Sequence, residues 1–304
     1  MEPLLCLKDS QIPLLKQISA ELGCDESYIE KDWYNTQLLY LISTLNLEGF
    51  EIYFGGGTAL AKAYGLISRF SEDVDLKIAT FSSRAEVRRF KNHLVETIER
   101  FGFTVLESEV GSGKKYTSAN AGKNTEISIL YPQILRKGPG LRPHIKLEFI
   151  LGHPILPTLR QPVSSIISQL QRLPPEVERI ACISSSEIAA GKLSALCWRY
   201  VSPDRDKRLI RHLFDLACMH EALLTPEFRE ISCQMVKIDQ QTRAEGVSFE
   251  VALRALFTEL RNNEHCALEY QNYVENFTYQ NEKSTINFND AIKKFEKIVS
   301  QVRV

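Results

Sequence analysis

At 304 residues, the chain is long enough for two domains and a sizeable core. The hydrophobic fraction of 44%, the charged fraction of 25% and the net charge of −1 are typical of a globular protein without an overall basic field, although a local patch could still bind nucleic acid. The seven scattered cysteines, an odd number, indicate reduced core residues rather than a disulfide framework or a zinc site. We expect no signal peptide, because the first residues lack its basic and long apolar regions, and no apolar run reaches the length of a membrane span. We therefore expect a cytoplasmic protein with no membrane partner.

The first half of the chain predicts helices alternating with strands. In chain order the elements are helices 9–22 and 26–46, strand 51–54, helix 59–64, strand 73–78, helix 83–102, and strands 103–110, 125–132 and 144–151. We expect Thr58 to cap the helix at 59–64 and Gly65 to end it. The strand at 73–78 alternates charged residues with Val74, Leu76 and Ile78, which is the period of a half-buried strand.

After Pro154, Pro157 and Pro162 the pattern becomes helical, with one short apolar run near Ile180. The predicted helices are 185–201, 206–223, 226–242, 248–262 and 287–302. The expected fold class is therefore α/β (α+β), with a mixed β-sheet and flanking helices in residues 1–165 and a helical domain in residues 166–304.

Two acids on the strand at 73–78 are candidate metal ligands. Residues two apart on a strand point the same way, so Asp73 and Asp75 should project from one face while Val74 and Leu76 face the core. Two neighbouring carboxylates repel each other unless a cation lies between them or one stays protonated, and oxygen ligands suit Mg²⁺, or Mn²⁺ in its place. The alternative is a pair of solvated acids that discourages aggregation at a sheet edge.

The three glycines at 55–57 predict a site for phosphate. Without side chains, they let the backbone approach a ligand closely, and the N–H groups at the start of the next helix would seat an anion. Arg69 could add a cation to such a site. A phosphate cradle followed by an acid pair is what a nucleoside triphosphate with Mg²⁺ requires, although the glycines alone could be an ordinary loop.

Residues 54–80, FGGGTALAKAYGLISRFSEDVDLKIAT, resemble the first motif of the AbiEii-type nucleotidyltransferases, a branch of the DNA polymerase beta-like superfamily. Residues 29–43 are similar to the family's N-terminal helix with its E-K-D-aromatic run, and 186–200 with 211–219 resemble its C-terminal pair of motifs. The positions of the first motif are filled by Gly56, Gly57, Thr58, Arg69, Ser71, Asp73, Asp75 and Leu76.

The resemblance implies roles for residues of the first motif. Asp73 and Asp75 would hold the metal ions. The nucleotide would be bound by Gly56, Gly57, Thr58, Arg69 and Ser71. In the superfamily a third carboxylate comes from a later strand. Glu148 is our candidate for it and Glu126 is the rival. The alternative for either residue is an ordinary acid on the surface of a strand.

The resemblance also implies two catalytic residues in the C-terminal half. Lys192 would contact the nucleotide phosphates and Asp215 would work with it. An ordinary helical ion pair between Arg211 and Asp215 is the alternative for the aspartate. The family often has R-D four residues before the final aspartate, whereas this chain has Arg211-His212, so the role of position 212 is open.

The implied activity is that of a nucleotidyltransferase toxin of a toxin–antitoxin or phage-defence system, which transfers NMP from an NTP and releases pyrophosphate. By resemblance the acceptor is RNA, at the 3′ end of tRNA, and a separate antitoxin is the partner. A basic set could bind the RNA backbone or be solvated loop charges: Lys114, Lys115, Lys123, Arg136, Lys137, Arg142 and Lys146. A protein or small-molecule acceptor, or a catalytically inactive nucleotide- or RNA-binding protein, are the alternative functions.

Overall fold

A computed structural model describes residues 4–108, 113–136, 138, 140–199, 209–243, 246–278 and 286–302. The chain divides into two compact units, the first formed by Met1–Gly65 with Phe70–Ile183 and the second by Leu66–Arg69 with Ser184–Val304. The end of the strand predicted at 103–110, the start of the helix predicted at 206–223, and Lys137 lie outside the described residues.

The first unit is built on one mixed sheet. Its strands are Glu51–Gly55 (β1), Asp73–Ala79 (β2), Thr104–Val105 (β3), Thr117–Ala119 (β4), Asn124–Leu130 (β5), Ile145–Leu151 (β6), Leu159–Val163 (β7) and Val177–Cys182 (β8). They are ordered β3-β5-β6-β2-β1-β8-β7, with β4 pairing β5. Strand β2 is antiparallel to β1 and parallel to β6, so these three strands form the centre of the sheet. The mixed α/β fold predicted from the sequence is confirmed.

Strands β2 and β6 separate apolar from charged residues, as their period of two predicts. On β2, Val74 and Ile78 are fully buried, and on β6 Ile145 and Leu147 are fully buried as well. The alternate positions of both strands, apart from Ala79 and Ile150, carry charged side chains on the opposite face of the sheet. The core therefore fixes which way the acids of β2 point.

In the described part of the first unit, the α-helices that accompany this sheet are Ile12–Leu22 (α1), Glu26–Thr44 (α2), Gly56–Lys62 (α3), Arg84–Phe101 (α4) and Ile166–Leu170 (α5). Helix α4 confirms the helix predicted at 83–102: the capping box of Ser83 and Glu86 starts it, and Gly102 follows its last residue. The predicted cap at Thr58 is wrong, because α3 already begins at Gly56 with Gly55 as its N-cap. Gly56 adopts φ +67, which allows the chain to turn directly from strand into helix.

The boundary between the units falls after Ile183 rather than at the predicted residue 165. The apolar run near Ile180 is strand β8, which pairs in parallel with β1 at Phe54 and Cys182. Strand β7 then pairs with β8, so the segment after residue 165 returns to the sheet before the helical unit begins. The sequence did not predict β7, whose residues are mostly exposed and include Pro162.

The second unit is helical, with helices Ser185–Arg199 (α6), Ile210–Cys218 (α7), Pro226–Arg243 (α8), Phe249–Asn262 (α9), Glu264–Phe277 (α10) and Phe288–Val299 (α11). Its core includes Leu196, Phe214, Leu256 and Phe295, all fully buried. Helix α10 was not predicted, although its buried side chains recur every four residues at Cys266, Tyr270 and Val274. Among the described helices of the chain, none has both the length and the apolar character needed to span a membrane.

Candidate active site

The glycine turn and the acid pair are in direct contact. In the antiparallel pairing of β1 with β2, Gly55 lies opposite Asp75. The carboxylate of Asp75 then occupies the space beside Gly56, so that a Cβ on Gly56 would overlap it. Gly56 also has a positive φ of 67°, which side chains disfavour. The segment therefore needs its glycine because the second acid fills the position that a side chain would take.

The hydroxyl of Thr58 holds α3 against the beginning of β2. It is fully buried, hydrogen-bonds to the backbone carbonyl of Asp73 and lies 2.6 Å from the Ser71 hydroxyl oxygen. Both hydroxyls predicted to bind nucleotide are thus used within the protein. Their contact fixes the helix that follows the glycines relative to the strand that carries the acids.

Three carboxylates lie side by side across neighbouring strands. Asp75 of β2 is in register with Glu148 of β6, and Glu148 is in register with Glu126 of β5. Because neighbouring strands are about 4.8 Å apart, Glu148 is the carboxylate next to Asp75, while Glu126 lies one strand farther away. The register therefore favours Glu148 over Glu126 as the third acid.

Lys146 lies between the two glutamates. Its Nζ is 2.7 Å from Glu126 Oε2, and it also forms an ion pair with Glu148. Burial by itself would lower the pKa of Lys146, but the hydrogen bonds to Glu126 and Glu148 outweigh it and the pKa is raised. The lysine is therefore a fixed positive charge on the face of the sheet that carries Asp73, Asp75 and Glu148, which we call the acid-bearing face.

Arg142 pairs with the first aspartate. Its Nη2 donates to Asp73 Oδ1 at 2.6 Å and lies 3.6 Å from Glu72 Oε2. Its backbone N–H donates to Glu72 Oε1 at 2.6 Å, and Lys31 Nζ donates both to that oxygen, at 2.8 Å, and to the Arg142 carbonyl, at 3.0 Å. A buried Lys31–Glu72 pair thus holds the backbone of Arg142, whose side chain lies against Asp73.

The E-K-D run of α2 connects three segments of the first unit. Glu30 accepts a hydrogen bond from the Ile134 N–H at 2.6 Å, and Lys31 binds Glu72 as described above. Asp32 pairs with Lys62 of α3 at 2.6 Å and accepts from the backbone N–H at the start of α5 at 2.7 Å. Burial raises the pKa of Glu30 although its backbone hydrogen bonds act in the opposite direction. Sequence reasoning matched this run to the family but assigned it no role.

The oxygen donors of the acid-bearing face are of the kind that Mg²⁺ prefers, and two of them lie on one face of one strand. Within the described parts of the chain, no three His, Cys, Asp or Glu side chains are grouped closely enough to hold a metal ion. Asp73 and Glu148 are instead turned toward Arg142 and Lys146. The donor set fits the metal in its chemistry, and those two carboxylates would have to leave or share their protein cations to bind it.

A second cluster of predicted site residues lies within the helical unit. Asp215 of α7 is fully buried, and its Oδ2 is 2.9 Å from the Nζ of Lys192 on α6. Arg69 donates from Nε to Asp215 Oδ1 at 2.7 Å and from Nη2 to Oδ2 at 2.9 Å. The side chain of Arg69 is 4% exposed. Arg69 was predicted to contact phosphate, whereas here it forms a bidentate pair with Asp215.

Charge in this cluster is tightly coupled. Burial alone would raise the pKa of Asp215, but Arg69 and Lys192 hold it far below its usual range. Burial lowers the pKa of Lys192, although the Asp215 carboxylate acts in the opposite direction. His212 lies with Nδ1 3.4 Å from Lys192 Nζ, and burial and the adjacent Lys192 lower its pKa, so the imidazole is neutral. The departure from the family pattern at position 212 therefore lies next to the predicted catalytic lysine.

The basic residues considered for RNA binding are in different environments. Lys114, Lys123 and Arg136 are exposed. Lys115 instead pairs with Glu99 at 2.5 Å, and Lys146 and Arg142 are engaged on the acid-bearing face. Only part of the predicted set thus resembles a surface for a phosphate backbone.

Comparison with known proteins agrees with the geometry of the first unit. A family model described as "Nucleotidyl transferase AbiEii toxin, Type IV TA system" matches residues 40–300. The chain belongs to the AbiEii nucleotidyltransferase toxin family. The resemblance inferred from the sequence is confirmed.

Solved structures include MenT4, a nucleotidyltransferase toxin from Mycobacterium tuberculosis H37Rv, at 18% identity and a TM-score of 0.53, with 94% of this chain and 98% of that chain covered. This likeness shows a shared fold. CdnE, a cyclic dinucleotide synthase from Elizabethkingia meningoseptica determined with GTP and Apcpp, matches at 13% identity over 97% of this chain and 98% of that chain. Its TM-score of 0.25 is too low to indicate a shared fold. No curated protein sequence matches the chain.

The overlap at Gly56 predicts a large loss of stability on substitution. Gly56→Ala should lower the free energy of unfolding by about 3 kcal/mol or more, because it adds overpacking against Asp75 to the cost of a positive φ. Gly65→Ala is the matched control, because Gly65 has φ +61 and nothing within 4 Å of its Cβ position. It should cost only about 1 kcal/mol. Equal losses for the two variants in urea unfolding would contradict the contact.

The buried cluster predicts a stability loss that depends on pH. Asp215→Asn should lower the free energy of unfolding by about 3–5 kcal/mol at pH 7, because Arg69 and Lys192 lose their carboxylate. The folded pKa of Lys192 then lies even further below its unfolded value of about 10.4. The unfolded state binds more protons, so the variant regains stability as the pH rises toward that value. Urea unfolding at pH 7 and pH 9 measures the trend, with the exposed Glu230→Gln as control. If the loss in free energy of unfolding relative to wild type does not become smaller from pH 7 to pH 9, the coupling between Lys192 and Asp215 is contradicted.

Proposed function

We propose that this AbiEii family member transfers NMP from an NTP to RNA, at the 3′ end of tRNA, and that it acts as a toxin restrained by a separate antitoxin. The observation that carries the proposal is the contact of the Asp75 carboxylate with the bare backbone at Gly56. It joins a place for phosphates and an acid pair within one unit of the protein. Family membership supports the transferase activity, and the description of the family as part of type IV toxin–antitoxin systems supports the antitoxin.

In this proposal Mg²⁺, or Mn²⁺ in its place, is bound by Asp73 and Asp75 with Glu148 as the third carboxylate. When bound, the metal neutralises phosphate charge as a Lewis acid and helps to align the reacting groups. The shared face of the two aspartates and the register of Glu148 beside Asp75 support this choice of ligands. The NTP itself is the co-substrate.

The residues of the chain act mainly by positioning. In this proposal the backbone at Gly56 and Gly57 contacts the triphosphate, while Thr58 and Ser71 keep the glycine turn and β2 together. The acceptor hydroxyl attacks the α-phosphorus of the NTP, its oxygen forms the new P–O bond, and pyrophosphate leaves with the electrons of the broken bond. Preorganised charge and orientation supply the rate enhancement, so no covalent enzyme intermediate is needed.

Exposed lysines and arginines support RNA as the acceptor. Lys114, Lys123 and Arg136 are exposed and can contact a phosphate backbone, and such contacts weaken as salt increases. A protein acceptor would not require them. The proposal therefore commits to RNA, and the other acceptors become outcomes of the test.

The purified chain should be incubated with each α-labelled NTP, Mg²⁺, total cellular RNA and total protein. Label is expected in the tRNA fraction, and release of pyrophosphate should match it. Label on protein alone would contradict the RNA acceptor but keep the transferase, whereas no label in any fraction would overturn the transferase itself.

Substitutions of the three carboxylates test their order of importance. Asp75→Asn should reduce incorporation by about 100-fold or more, because the isosteric amide removes the charge that faces the nucleotide. Glu148→Gln should also cause a severe loss, and Glu126→Gln, which removes the same charge one strand farther away, a smaller one. Initial rates of label incorporation measure the three effects. A larger loss for Glu126→Gln than for Glu148→Gln would reassign the third carboxylate.

The family resemblance makes Lys192 a proposed catalytic residue, and Lys192→Met tests it. Methionine keeps most of the length of the side chain without its charge, and incorporation should fall about 100-fold. The unfolding midpoint must be measured on the same sample, because Lys192 also pairs with buried Asp215. A folded variant with the wild-type rate would show that the C-terminal motif has no catalytic role.

A further inference from the structure

The connection between β5 and β6 brings a cation to the acid-bearing face. Arg142 lies in this connection, and its main chain is held at both ends by buried side chains. Its N–H donates to Glu72, and its carbonyl accepts from Lys31. The side chains of Glu72 and Lys31 are 9% and 2% exposed, whereas that of Arg142 is 22% exposed. The protein thus fixes the backbone of this residue firmly and leaves its side chain partly exposed.

The guanidinium is not needed to hold the connection in place. The two backbone hydrogen bonds would remain if the side chain of Arg142 were shortened, because neither uses a guanidinium atom. What the side chain adds is a positive charge 2.6 Å from the Asp73 carboxylate. Within the described residues, the hydrogen bond of the Arg142 side chain is accepted by Asp73. One Nη atom donates this bond, and the guanidinium has five N–H donors in all.

We propose that Arg142 is a triphosphate-binding residue, whose guanidinium contacts the phosphates of the nucleotide held at Asp73 and Asp75. The inference rests on the proposed function. A nucleotide placed at these acids brings its negative phosphates next to the carboxylates that hold its metal. An arginine at this position compensates the added negative charge, and its planar fork can bind two phosphate oxygens at once.

Arginine and lysine differ in this role. The rigid guanidinium can pair with Asp73 through one edge and present its remaining N–H groups to a phosphate, whereas an ammonium group is a single point charge. Arg142→Lys should therefore retain only part of the wild-type affinity for the triphosphate. A residue that merely neutralised Asp73 would be replaced by lysine without loss.

The experiment measures binding without turnover. The probes are an α,β-methylene NTP analogue with Mg²⁺, the corresponding nucleoside monophosphate with Mg²⁺, and Mn²⁺ alone, titrated calorimetrically into the full chain. The proteins are wild type, Arg142→Gln, Arg142→Lys and, as matched control, Arg88→Gln, which removes the same charge from an exposed position of α4.

Arg142→Gln should weaken binding of the triphosphate analogue by about tenfold or more, as expected for a lost hydrogen bond to a charged group. Binding of the monophosphate should change by less than about threefold, since it lacks most of the phosphate charge. Mn²⁺ alone should bind Arg142→Gln at least as tightly as wild type, because a positive charge beside Asp73 has been removed. Arg142→Lys should fall between wild type and Arg142→Gln, and Arg88→Gln should match wild type.

Four results would overturn the inference. Unchanged triphosphate affinity in Arg142→Gln would show that the guanidinium does not contact the phosphates. Equal losses for triphosphate, monophosphate and Mn²⁺ would show that Arg142 positions Asp73 instead. If Arg142→Gln fails to fold, wild-type triphosphate affinity in Arg142→Lys gives the same negative answer. Failure of wild type itself to bind the analogue with Mg²⁺ would overturn the proposed function as well, which separates that case from the others.

Discussion

The candidate site depends on one close contact, that of the Asp75 carboxylate with the backbone of Gly56. The antiparallel register of β1 and β2 brings the two positions together, and the positive φ of Gly56 turns the chain into α3 at that point. Neither feature works without the other, because any side chain at position 56 would occupy the place of the carboxylate. The glycine turn and the acid pair are therefore one structural unit, although in the sequence they are separated by a helix and a loop.

The surrounding structure keeps this contact in place with buried charges. Successive residues of a helix point about 100° apart, so Glu30, Lys31 and Asp32 of α2 reach three different segments. Lys31 reaches the residue before Asp73, and Asp32 reaches α3 through Lys62. Burying charges is costly, and a buried pair adds little net stability over apolar packing. These ion pairs instead fix which segments lie together, which is what a site assembled from a turn, a strand and a connection requires.

Local features of the fold could be predicted from the sequence, whereas features that depend on distant partners could not. The faces of β2 and β6 follow from a period of two, and α4 from its amphipathic pattern and terminal glycine. Arg69 was assigned to phosphate because it precedes the acids, yet its partner Asp215 lies 146 residues away. The contacts of Glu30 to Asp32 and of Arg142 also join segments that are distant in the sequence, and no periodicity in the sequence indicates them. Thr58 was misassigned because a glycine with positive φ can begin a helix two residues earlier.

Asp215 and Glu148 differ in burial, and this difference determines how their substitutions should be interpreted. Asp215 is fully buried between Arg69 and Lys192, so removing its charge leaves two buried cations and affects folding before any effect on chemistry can be seen. Glu148 is 42% exposed, and its charge is screened by solvent, so its loss should cost little stability. A fall in activity caused by Glu148→Gln can therefore be attributed to the site itself. The same fall in an Asp215 variant supports a catalytic role only if the folded fraction is known, because the cluster that holds this aspartate is also part of the core of its unit.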